Sequence, residues 1–122
     1  MSITFEWLVP DHVLKVVFPN NLDDATAEAY DRDLVAILDT VNDPIHLLVD
    51  LRSVQVRPSI KMSAFNHLKH PKLGRVVTIG MTSNPIIRFI AGVLAQAMGF
   101  RSKDVSSEEE AMAYLAIVDK NA

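Results

Sequence analysis

The segment Ile45-His46-Leu47-Leu48-Val49-Asp50-Leu51 is an almost unbroken apolar run, the pattern of a strand buried on both faces. A strand of that kind cannot sit at the rim of a one-sided sheet, so it predicts a central position with helices covering both faces. Residues Arg75 to Met81 repeat the pattern. The remaining elements must supply the cover and the edges.

Ile3 to Val9 and His12 to Phe18 are rich in β-branched and aromatic residues and flank Pro10-Asp11, a pair suited to a tight turn, so they predict an antiparallel hairpin. Pro19-Asn20-Asn21 breaks the second strand. From Asp23 or Asp24, the residues Ala27, Tyr30, Leu34, Ile37 and Val41 recur at helical spacing, and Asn42-Asp43-Pro44 closes that helix. Pro58-Ser59 restarts the chain into a second helix marked by Ile60, Ala64, Phe65 and Leu68, ending near His70-Pro71. Asn84 and Pro85 cap a third helix over Pro85 to Met98, with Gly99 as its stop. Phe100 to Val105 reads as a short edge strand. Ser106 and Ser107, followed three residues on by Glu109 and Glu110, form overlapping capping boxes for a last helix with Ala111, Tyr114, Leu115 and Val118 on its apolar face. The expected fold is therefore α/β: a mixed, mostly parallel sheet with an N-terminal β-hairpin and about four helices, in one domain spanning 1-122.

A chain of 122 residues with 49% apolar side chains is long enough to bury a core without disulfides or metals, and it has no cysteine to make thiolate sites or thiol nucleophiles. Met1 to Pro10 contains Glu6 and no basic residue, unlike a secretory signal. The longest uninterrupted apolar stretch, Phe89 to Ala95, is far shorter than the roughly 18 residues that span a bilayer. A cytoplasmic location is expected, with peripheral membrane attachment as its variant.

The formal charge of −3 conceals three blocks. Residues 1–50 hold ten acids and two bases, and residues 51–103 hold nine bases and no acid. The tail from Asp104 holds five acids and one base, so the blocks are formally −8, +9 and −4. Folding can interleave these blocks or gather the middle one into a basic face. The bases are not interleaved with stacking aromatics and the net sign is negative, which argues against nucleic acid as partner. An acidic protein or an anionic membrane surface is the expected counterpart.

Few residues carry chemistry. Ser59 opens a helix, where its hydroxyl can cap the backbone; a phosphate there would meet the helix N-terminus, Arg57 and Lys61, making it a candidate phosphoacceptor. Thr82, Ser83 and Asn84, with Arg88 one turn on, follow a buried strand at the place where α/β sheets bind ligands, so with Arg57 and Lys61 they form a candidate anion site or an ordinary capped turn. His67 and His70 are spaced for one metal but lack a third ligand, and a solvated helix end accounts for them. His12 and His46 fall in expected strands and read as core or edge residues. No metal, cofactor or catalytic constellation is expected, and the chain reads as a non-enzyme. The third helix is apolar nearly all round. Ile86, Phe89, Ile90, Val93 and Leu94 suit a core helix, a homodimer interface, or a cover over an apolar ligand.

The hairpin, the acidic first helix, Leu47-Leu48-Val49-Asp50-Leu51, the helix after Ser59, the strand Arg75 to Met81 and the terminal Glu109-Glu110-Ala111-Met112-Ala113-Tyr114-Leu115 together resemble the SpoIIAA-like family, related to STAS domains. The resemblance spans nearly the whole chain. In STAS anti-sigma factor antagonists a strand ending in Asp-Leu leads to an Asp-Ser-x-Gly turn whose serine is phosphorylated. Ser59 takes the serine position here, Pro58 replaces the aspartate and Lys61 replaces the glycine. The resemblance implies a non-catalytic regulatory or binding module acting through protein-protein or anionic-surface contacts, as a homodimer. SpoIIAA-like proteins are also similar to the lipid-carrying CRAL-TRIO fold, which implies the alternative of a carrier or sensor of a small apolar ligand with peripheral membrane association.

Overall fold

The computed structural model describes residues 3–19, 21, 22, 24–56, 67, 69–80, 85, 88, 89, 92 and 102–120. The expected hairpin forms from β1 (Thr4–Val9) and β2 (Val13–Val17), antiparallel in the register Thr4↔Val17 to Val9↔Val13. The register slips between Trp7 and Val9, and Asp11 turns the chain with φ 58°, a left-handed conformation that aspartate tolerates better than most residues. After β3 (Asn21–Leu22), helix α1 (Asp24–Leu38) buries Ala27, Tyr30, Asp31, Leu34 and Leu38, one stripe of a 3.6-residue period. It stops at Leu38, short of the expected Asn42-Asp43-Pro44 boundary. The Thr40 hydroxyl donates to the Ile37 carbonyl there, in the turn that leaves the helix.

Strand β4 (Ile45–Asp50) is buried at all six positions, as its apolar run predicts. It lies third in a five-stranded sheet ordered β1, β2, β4, β6 (Leu73–Ile79) and β7 (Ser102–Val105), with every pair beyond the hairpin parallel. Helix α2 (Glu108–Lys120) follows β7. Alternation along β4 separates two cores. Ile45, Leu47 and Val49 pack with Leu34, Leu38 and Tyr30 of α1, while Leu48 packs with Val13, Val77, Val105 and the α2 residues Ala111 and Leu115. His46 and Asp50, two residues either side of Leu48, are therefore polar groups at opposite ends of the α2 face.

Strand β6 starts two residues before the expected Arg75 and ends before Gly80. Gly74 passes so close to β4 that an added Cβ would stand 2.9 Å from the Ile45 carbonyl oxygen, so only glycine fits this approach. One pairing escaped the sequence: Asn21–Leu22, which begins at the last residue of the expected Pro19-Asn20-Asn21 break, forms a two-residue parallel ladder with β5 (Gln55–Val56). A ladder that short has no periodicity to read. The described residues contain two helices with defined ends. His67 and Lys69 lie in a 3₁₀ turn, and Pro85, Arg88, Phe89 and Gly92 have helical backbone. Most of the second and third expected helices lies outside the described residues, so the count of about four is not reached among them. No described helix is long and apolar enough to cross a membrane.

Candidate functional site

The parallel strands end at a rim where α/β sheets commonly hold ligands. Asp50, the last residue of β4, accepts the Arg52 amide and side chain, with Arg52 Nη2 at 2.7 Å from Oδ2. These bonds hold the Asp50 carboxyl below its usual range, against the opposing effect of its burial, and Lys15 adds to the lowering. Lys15 Nζ also donates to Glu108 at the start of α2, 2.9 Å away. One strand over, Thr78 donates to Asp104 at 2.7 Å. The rim is thus closed by pairs, each acid with a donor.

Between α1 and the 67–70 turn lies a buried chain of hydrogen bonds. The Asp31 carboxylate accepts from the His67 amide at 2.8 Å and from Nδ1 at 2.7 Å. Nδ1 therefore carries the proton in the neutral ring, Nε2 is an acceptor, and the Tyr30 hydroxyl donates to it at 2.9 Å. Burial pushes the tyrosine hydroxyl far above its usual range and, despite Asp31, pushes the His67 imidazole down. The order Tyr-His-Asp imitates a nucleophile relay, but the phenol is fully buried beside Phe5 and Phe18, so the arrangement fastens the turn to α1 rather than exposing a reactive oxygen.

A third cluster sits at the opposite end of the α2 face. Asp119, in the last turn of α2, lies 2.6 Å from His12 Nε2 through one oxygen and 2.6 Å from His46 Nε2 through the other. The two rings meet edge-on with centroids 5.1 Å apart. The Arg75 amide donates to His46 Nδ1 at 3.1 Å, so neutral His46 holds its proton on Nε2 and donates it to Asp119. Donation by both histidines holds the Asp119 carboxyl below its usual range. Potential ligand atoms of the three residues lie within 4.8 Å of one another, the one such grouping among the described residues. Sequence reading missed it. His12 lies in the hairpin turn just before β2 rather than in the expected strand, His46 in β4, and Asp119 in a helix 73 residues beyond His46, so only the β2–β4 register and the docking of α2 bring them together.

No protein-family model matches the chain, and no curated protein matches it in sequence. In structure it is similar to an uncharacterized protein of the DUF3478 family, with a SpoIIAA-like fold, from Shewanella loihica PV-4. The likeness has a TM-score of 0.61 and covers 93% of this chain and 92% of that one, at 21% identity. The fold is SpoIIAA-like.

Within this SpoIIAA-like frame, most of the residues singled out from sequence lie outside the described residues: Arg57, Ser59, Lys61, Thr82, Ser83, Asn84, Ile86, Ile90, Val93 and Leu94. Arg88 and Phe89 are described, both exposed on helical backbone, and Phe89 keeps 73% of its surface in solvent. His67 and His70 do not converge. His67 turns inward to Asp31, whereas His70 Nε2 pairs with Asp39 at 2.7 Å.

Proposed function

We propose that this SpoIIAA-like chain is a STAS-type module that works by binding an anionic partner and not by catalysis. The observation that supports it is the fate of the basic block. Lys69, Arg75 and Lys103 remain exposed around the start of β6 and on the neighbouring β7, while the nearby acids Asp39 and Asp104 are engaged by His70 and Thr78. Exposed cations whose acids are committed elsewhere attract a counterpart of opposite charge. Flotation with phosphatidylserine and phosphatidylcholine vesicles, beside retention on immobilised polyglutamate, tests the reading at low and moderate salt. The expected result is salt-sensitive capture by one anionic probe, lost in the triple variant Lys69→Glu, Arg75→Glu, Lys103→Glu. Capture by neither probe, or equal capture of the variant, sinks it.

A second reading, a carrier or sensor of a small apolar ligand, draws on Phe89. A helix buried in a core would not leave this ring in solvent, but a cover or contact helix would. Mass spectrometry of organic extracts from the purified protein, with titration of a fluorescent fatty acid, checks it. Neither retained material nor saturable binding would refute it.

A further inference from the structure

We infer that His12, His46 and Asp119 form a binding site for a divalent transition ion, Zn²⁺ or a chemical relative, at the junction of β2, β4 and the last turn of α2. Two imidazoles and one carboxylate suit Zn²⁺, Co²⁺ or Ni²⁺, whereas Ca²⁺ and Mg²⁺ prefer all-oxygen sets. The three side chains converge: each Nε2 atom lies 2.6 Å from its own oxygen of the Asp119 carboxylate. Ligands on a tetrahedral ion with bonds of about 2.0 Å stand about 3.3 Å apart, so the two contacts with Asp119 open by less than about 1 Å, while the widest separation in the set, at most 4.8 Å, closes toward that spacing. Access is present too. The side chains of His12 and Asp119 are 43% and 38% exposed, leaving solvent to complete the coordination, while His46 at 11% anchors the site to the sheet.

The structure also sets a limit on affinity. A histidine that ligates through Nε2 carries its proton on Nδ1 and usually donates it to an acceptor. At His46 that position faces the Arg75 amide, a donor, 3.1 Å away. Metal binding therefore forfeits this hydrogen bond, a change in the outer shell of the kind that typically weakens a site about 10- to 100-fold without abolishing it. On binding, the Nε2 proton of each ring moves to Nδ1 by exchange with water, and the ion takes its place beside Asp119, fastening α2 to β4 and to the hairpin turn before β2.

The test is titration of the untagged full chain with Co²⁺ and then Zn²⁺, followed by Co²⁺ visible absorption, stoichiometry and thermal unfolding. The expected result is one equivalent of Co²⁺ with ligand-field bands, displaced by Zn²⁺, and a rise in melting temperature with ion concentration. His12→Ala and Asp119→Asn, at exposed positions that leave the core intact, should each weaken binding at least tenfold; His70→Ala should not. No bound ion, or binding undiminished in the double variant His12→Ala/Asp119→Asn, overturns the site and leaves a hydrogen-bonded clasp. The readout is independent of the basic face, so either conclusion can fail alone.

Discussion

Gly80 leaves β6 with φ 86°, and a Cβ added there would stand 2.9 Å from Arg52 Cγ and 3.2 Å from its Cα. Both the left-handed backbone and the close approach demand glycine, so Gly80→Ala should destabilise the fold by about 1–2 kcal/mol or more, read by urea unfolding. His67 gives a pH dependence with a defined sign. Burial lowers its folded-state affinity for a proton below the ordinary 6.5, with Asp31 only partly restoring it and Tyr30 donating to the ring. The unfolded chain takes the proton first, so this contribution to stability is complete above 6.5 and drains as pH falls through that value toward the folded pKa. Urea midpoints measured from pH 8 to pH 5 should fall less steeply in His67→Gln than in the parent; an unchanged slope would sink the assignment. His67 and His70 illustrate what spacing hides. Their separation of three matches a shared ligand set, but one ring turns to the core and the other, half-buried, to the exposed Asp39, because Asp31 is a buried residue of α1 and Asp39 follows its end.

The elements were legible where a period was long enough to read. The seven-residue run at Ile45 gave a buried central strand because both faces of β4 meet helices, and the spacing of Ala27, Tyr30 and Leu34 gave α1 because that stripe must face the sheet, although it carried the expected helix on to Val41 where α1 ends at Leu38. The start of α2 is equally local. Glu110 donates its amide to the Ser107 hydroxyl at 3.1 Å, and its carboxylate accepts the Ser106 amide at 3.0 Å, a capping box that reaches one residue further back than the usual form. Ser107→Ala should cost about 1 kcal/mol in thermal or urea unfolding, with the fold retained in circular dichroism. Strand ends were less legible. The termini of α1, β4 and β6 are set by turn bonds, Gly74's approach to β4 and Gly80's φ, none of which leaves a repeating pattern. The β3–β5 ladder, two residues long, left no pattern at all.

Across the whole molecule, folding partly interleaves the three charge blocks. Glu108 of the acidic tail meets Lys15 of the first block, and Asp39 of the first meets His70 of the second. Asp50 and Arg52 pair across the boundary between the first two blocks, at 2.7 Å. The arginine keeps the Asp50 carboxyl below its ordinary 3.8, so this contribution to stability is present above that value and is lost as pH falls through the folded pKa. Arg52→Ala should move the midpoint of acid unfolding to higher pH, by circular dichroism during an acid titration; a midpoint unmoved would show that the pair does not govern acid stability. The sequence by itself determined the α/β class, the central strand, the hairpin and the cap of α2, since each follows from periodicity or from bonds between residues a few positions apart. Only the tertiary structure decided which charges cancel and which stay exposed, and that His12, His46 and Asp119 converge. Those outcomes depend on strand register and helix docking, where groups 34 and 73 residues apart in the chain are brought within ångströms by packing energies that no local pattern records.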